Sequence, residues 1–86
     1  MELKTEQEYL RDGLHAAVAM LAVSIEGAER NAKEIDRIMA NRKYGDGYAS
    51  QEQLQRVRDS WLQKTVDWNG QSKALQNLIE REGLYE

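Results

Sequence analysis

The chain has 86 residues, no cysteine, no proline and a net charge of −3. This length allows one domain, and the lack of cysteine excludes disulfides and thiolate chemistry. The acidic balance argues against a nucleic-acid binder that relies on bulk attraction. Abundant Ala, Leu, Glu, Gln and Arg are typical of long helices, so we expect a single all-α domain over residues 1–86.

The most apolar stretch runs from Leu14 to Ile25, where ten of twelve residues are apolar. It is shorter than the roughly 20 residues that span a bilayer, so no membrane association is expected. Acidic residues (Glu2, Glu6 and Glu8) stand where a signal peptide would be basic. We therefore expect a cytoplasmic protein.

The first helix is predicted over about residues 5–42. Thr5 and Glu8 have the spacing of a capping box. Apolar residues then recur at steps of three and four and define one continuous face. Asp12-Gly13 is a turn signal, so a break in the helix at that point is an open alternative. The face comprises Leu10, Leu14, Ala17, Val18, Leu21, Ile25, Ala28, Ala32, Ile35, Ile38 and Met39.

A second stripe lies on the other side of this helix. It comprises Tyr9, Gly13, Ala16, Met20, Val23 and Gly27. A helix that is apolar all round must be covered all round, and the two glycines favour a close approach by another helix. We expect the cover to be a second copy of the chain, or a partner protein, in a four-helix bundle or higher helical oligomer. The predicted oligomer interface comprises Ala16, Met20, Val23, Gly27 and Val18.

A loop is predicted over about residues 43–49, followed by a second helix over about 50–82. Ser50 and Gln53 form a second candidate capping box, and Gly83 is placed to end the helix. Asn69-Gly70 is a possible interruption. The apolar face of this helix comprises Leu54, Val57, Trp61, Thr65, Trp68, Ser72, Leu75, Leu78 and Ile79.

Two long helices joined by a short loop predict an antiparallel hairpin. Placing Ile38 opposite Leu54 puts Ile35 opposite Val57. Small alanines of the first helix then face the large indoles of the second, as a packed seam requires. The predicted hairpin core comprises Leu14, Leu21, Ile25, Ile35, Trp61, Trp68 and Leu75.

Polar residues near the seam are expected to fix its register, at a cost in stability. These are Ser24, Asn31 and Gln71. His15, the single histidine, lies three residues after Asp12, a spacing found in two-metal bundles, but no further inward carboxylates accompany the pair. We expect a hydrogen-bonded histidine and no metal, cofactor or enzymatic activity.

The loop end of the hairpin is predicted to be basic, because residues 37–58 carry five basic and two acidic residues. Tyrosine stacking and arginine pairing with phosphate would suit a nucleotide, another anionic ligand, or RNA or DNA. The alternative is a solvated end with no ligand. The candidate ligand or partner surface comprises Arg42, Lys43, Tyr44, Tyr48 and Arg56.

These features favour a non-enzymatic, self-associating helical module that binds another protein as an adaptor or inhibitor. In type, though through no shared motif, the chain resembles small acidic helical inhibitors of host or defence proteins encoded by phages. Binding of a nucleotide or nucleic acid at the basic loop end is the alternative function.

Overall fold

The computed structural model describes residues 3–41 and 50–85, which form two helices, α1 (Glu6–Asn41) and α2 (Gln51–Glu82). The helices pack along one another as a hairpin. They run antiparallel, since His15 near the start of α1 contacts Leu84 after α2, and Asp36 near the end of α1 pairs with Arg58. No strand occurs within the described ranges, and the prediction of an all-α hairpin is confirmed.

The N-terminus of α1 has the predicted capping box. The Glu8 amide donates to Thr5 Oγ1 at 3.1 Å, and the Thr5 amide donates to the Glu8 carboxylate at 3.4 Å. These bonds satisfy amides that have no partner inside the helix. The helix continues through Gly13, so the alternative of a break there is excluded.

Both ends of α2 are capped by its own sequence. Ser50 and Gln53 form the predicted capping box at the start. At the end, Gly83 adopts φ +65°, its amide donates to the Glu80 carbonyl, and the Leu84 amide donates to the Ile79 carbonyl at 2.9 Å. This is a Schellman motif, for which glycine is preferred because it has no Cβ. α2 also continues through Gly70.

The most buried part of the seam between the helices lies around two alanines of α1. Ala28 is 1% exposed and Ala32 is 3% exposed, and Thr65 on α2 is also buried. Counting back along α1 from the Asp36–Arg58 ion pair places both alanines opposite the stretch that begins at Trp61. Small residues opposite an indole let the two backbones approach closely without a void.

The seam differs from the predicted one at Val57. Val57 was predicted to face Ile35, but Val57 is exposed. The next residue, Arg58, is partly buried instead and its Nε lies 2.5 Å from a carboxylate oxygen of Asp36. The long aliphatic stem of arginine packs in the seam while its charged end reaches an acidic partner on the other helix.

The hairpin is a thin rod of 62 × 29 × 14 Å, barely deeper than one helix with its side chains. Its radius of gyration is 19.0 Å, against about 12 Å for a globular chain of this length. Its accessible surface is 6857 Å², against about 5,200 Å² for a folded monomer of this mass. The fold is therefore at most two layers of side chains thick, and large faces of its helices remain exposed.

Neither helix carries a run of apolar residues long enough to cross a bilayer, over the ranges that the structure describes.

Replacement by alanine is expected to change the stability in opposite directions at Gly70, inside α2, and at Gly83, directly after it. Gly70→Ala should stabilise the hairpin by up to about 1 kcal/mol, because its new Cβ meets no atom within 4 Å and alanine is the better helix former. Gly83→Ala should destabilise it by about 1–2 kcal/mol through the left-handed conformation. Urea unfolding at one protein concentration measures both, and shifts of the same sign would contradict the assignment of the cap.

Candidate interaction surface

The second stripe lies on the side of α1 that faces away from α2. Met20 and Val23 are each 70% exposed, Tyr9 is 55% exposed, and Ala16 and Gly13 are also exposed. The six residues follow one another at steps of four, three, four, three and four, which is the spacing of a coiled-coil seam. α1 therefore has one such seam against α2 and a second that is largely exposed among the residues that the structure describes.

The glycines of the second stripe have no packing role inside the hairpin. A Cβ added at Gly13 or at Gly27 would meet no atom within 4 Å. Each glycine in a helix interior costs up to about 1 kcal/mol relative to alanine. Since α2 does not require them, these residues leave room on the outer surface of α1 for the backbone of a further helix.

A shallow depression marks the centre of the second stripe. It is lined by Ala19, Met20, Val23 and Ser24, and its walls are almost entirely apolar. It lies beside the most exposed apolar side chains of α1.

Charged residues bound the second stripe at both ends. Beyond Gly27 lies Arg30, whose guanidinium is 3.4 Å from Glu26 and largely exposed. Before Tyr9 lies the exposed Glu6. The stripe thus spans 19 residues, from Tyr9 to Gly27, or about 27 Å of helix, with a cation beyond one end and an anion beyond the other.

Two carboxylates near this surface are held ionised by neighbouring cations. Hydrogen bonds from Lys4, at 2.6 Å, and from Arg11 lower the pKa of Asp12 below its usual value. The Arg37 guanidinium lowers the pKa of Glu34 in the same way. Both pairs are solvent-exposed, so they define the polar border of the surface more than they stabilise the fold.

The predicted interface residues separate into two groups. Ala16, Met20 and Val23 are exposed on the outer side of α1, and Gly27, at the end of the same stripe, is half-buried. Val18 is half-buried and stands seven residues before Ile25 and fourteen before the buried Ala32, which places it on the side toward α2. The seven predicted core residues are all partly buried: Leu14, Leu21, Ile25, Ile35, Trp61, Trp68 and Leu75.

The polar residues predicted to fix the register are all exposed: Ser24, Asn31 and Gln71. Thr65 is the buried polar residue of the seam, and its hydroxyl donates to the Leu62 carbonyl at 2.6 Å. This local bond satisfies the hydroxyl within its own helix. The polar contact between the helices is instead the Asp36–Arg58 ion pair, which the pattern of uncharged polar residues does not predict.

The candidate ligand surface at the loop end is described only at one residue. Arg42, Lys43, Tyr44 and Tyr48 lie outside the described residues. Arg56 is exposed and its guanidinium lies 2.7 Å from Glu52, one turn earlier on α2. This pair is an ordinary salt bridge on a helix surface.

His15 connects the N-terminal part of α1 to the segment that follows α2. Its Nε2 lies 2.8 Å from the Leu84 carbonyl oxygen, to which it donates a hydrogen bond. Among the described residues no cluster of three potential metal ligands occurs. The burial of Leu84 was not predicted, although an apolar residue directly after a helix-ending glycine is a recognised signal for such packing.

No protein-family model matches this chain, and neither a curated protein nor a solved structure matches it significantly.

Proposed function

We propose that this chain is a non-enzymatic protein-binding module that acts through the second stripe of α1, as an adaptor or an inhibitor. The observation that carries the proposal is the uncovered apolar seam on α1. Its spacing suits another helix, and its glycines serve no contact inside the hairpin. Exposed, contiguous apolar surface of this kind marks protein interaction sites in soluble proteins.

The shape of the molecule also supports this proposal. The chain exposes about 1,600 Å² more surface than a compact chain of its mass. Each partner of a stable complex buries about 800 Å². Association along the rod would therefore cover about half of the excess surface without any change in the hairpin.

Met20→Glu tests the proposal, because it places a charge at the centre of the second stripe. We expect the affinity of any complex made through the stripe to fall by on the order of 100-fold, since the carboxylate would be buried without a partner. Light scattering over a dilution series measures self-association, and capture by the immobilised chain measures binding of another protein.

The matched control is Val66→Glu, which places the same charge on α2 at an apolar residue of similar exposure, 63%. It should leave every complex intact. Circular dichroism should show both variants as helical as the wild type. If all three proteins have the same mass and capture the same material, the second stripe is not the binding surface and the proposal fails.

A further inference from the structure

The second stripe alternates large and small residues in an order that makes it complementary to itself. Reading along α1, the order is large, small, small, large, large, small: Tyr9, Gly13, Ala16, Met20, Val23 and Gly27. Reversing the stripe exchanges every large residue for a small one. The small positions have space for a facing side chain, because even a Cβ added at Gly13 or Gly27 would meet no atom within 4 Å.

We propose that the second stripe is covered by the second stripe of another copy of this chain, running antiparallel, with a two-fold axis level with residue 18. In this register Tyr9 faces Gly27 of the second copy. Gly13 faces Val23, and Ala16 faces Met20. Every layer of the contact thus joins one large and one small side chain. The inference rests on the proposed function and specifies its partner and orientation.

The charges at the ends of the second stripe fit the same register. The layer beyond Tyr9 brings Glu6 opposite Arg30 of the second copy, and the two-fold axis repeats this pair at the other end. Both side chains are exposed in the single chain and free to reorient. Opposite charges at the borders of a helix pair favour the matching orientation and register.

The neighbouring registers match large and small side chains less well. A shift by one heptad in one direction puts Val23 opposite Glu6. A shift in the other direction puts Gly27 opposite Ala16, which leaves a gap, and Gly13 opposite Arg30. A parallel pair in register places each residue against itself, so that small residues face small ones and large face large. The antiparallel pair with its axis at residue 18 alone fills every layer.

The contact is also long enough. It covers 19 residues of each helix, about 27 Å, and the glycines let the backbones approach closely. The apolar depression beside Met20 and Val23 provides further surface that the second copy covers. Two hairpins associated in this way form a four-helix arrangement in which α1 has a partner on both sides.

Disulfide trapping tests the relative orientation of the two α1 helices. Since the chain has no cysteine, any disulfide in a single-cysteine variant must involve the introduced residue. Gly13→Cys and Val23→Cys are prepared separately, mixed in equal amounts and oxidised mildly. The antiparallel register brings these two positions together. Two copies of the same variant hold their cysteines about 15 Å apart along the axis, well beyond the Cα separation of about 7 Å that a disulfide tolerates.

The expected result is a mixed disulfide as the main product, identified by intact mass, with little of either symmetric disulfide. Symmetric disulfides in each variant alone would overturn the antiparallel orientation in favour of a parallel pair. A monomeric wild type, with no disulfide formed in the mixture, would overturn the second copy as partner. Gly13→Cys adds volume and Val23→Cys removes it in the same layer of the contact. The mixed pair therefore perturbs the packing less than either variant paired with itself.

The two proposals fail in different ways. If Met20→Glu abolishes binding of a different protein while the wild type is a monomer, the proposed function stands and the antiparallel dimer is wrong. If the wild type is a dimer that Met20→Glu leaves intact and no mixed disulfide forms, the dimer uses another surface and both proposals are wrong.

Discussion

Ala32→Glu is expected to unfold the hairpin or to reduce its stability by several kcal/mol, on the order of the cost of a buried unpaired charge. Ala32 is only 3% exposed in the seam, so a glutamate side chain at this position lacks space and its carboxylate lacks water. A chain this small has little stability to lose. Loss of the helical circular dichroism signal at 25 °C, or a large decrease in the urea midpoint, is the measurement.

Ala74→Glu is the matched control for this substitution. Ala74 is exposed near the middle of the C-terminal half of α2, so the same change there should alter stability by less than about 0.5 kcal/mol. If Ala32→Glu were tolerated as well as Ala74→Glu, the two helices would not pack along the face that contains Ala28 and Ala32.

Leu84→Ala is expected to cost about 2–4 kcal/mol, as for other buried leucines truncated to alanine. Leu84 is 3% exposed although it lies beyond the end of α2, and its backbone makes two contacts. Its amide donates to Ile79 and its carbonyl accepts from His15. Loss of the side chain should therefore release the end of the chain from α1, which urea unfolding and amide exchange at the helix ends would show.

The neighbouring Tyr85→Ala is the comparison for Leu84→Ala, because Tyr85 is exposed and should tolerate truncation. His15→Ala separates the side-chain effect from the hydrogen bond. It removes the donor to the Leu84 carbonyl and should cost about 1–3 kcal/mol if that oxygen is left without a partner. A stable Leu84→Ala variant with unchanged exchange would show that the segment after Gly83 is not packed on α1.

The local features of this fold could be read from sequence because each depends on neighbouring residues. The capping boxes at Thr5 and Ser50 and the helix end at Gly83 are set by side chains within three or four positions of the amides they satisfy. The hairpin itself follows from two long periodic faces and one short connection, and Ala28 and Ala32 of the predicted face are buried.

The details of the seam could not be read in the same way. A hydropathy pattern assigns Val57 to the core and Arg58 to solvent, but packing needs one long flexible side chain that reaches Asp36. Sequence spacing also treats Ser24, Asn31 and Gln71 as near the seam, whereas a rotation of each helix by part of a turn leaves all three exposed. Contacts after the last helical residue, such as His15 with Leu84, depend on the path of the chain and have no periodicity.

For the interaction surface, the sequence identified which residues of α1 are apolar on the outer side, and the structure added that nothing within the hairpin covers them. It also showed that Gly13 and Gly27 are not needed for the approach of α2. That distinction requires coordinates, because a glycine near a helix–helix seam and a glycine facing solvent have the same sequence signal.

The second stripe ends at Gly27, whereas α1 continues to Asn41. In the proposed antiparallel dimer the overlap of the two α1 helices would therefore stop near residue 30, and the last eleven residues of each would project beyond it by about 16 Å. The C-terminal ends of the two α1 helices would then point in opposite directions, roughly 70 Å apart along the axis. Such an assembly would be bivalent, with two identical ends at a fixed spacing. It would bind more tightly than a single hairpin to a target that has repeated binding sites.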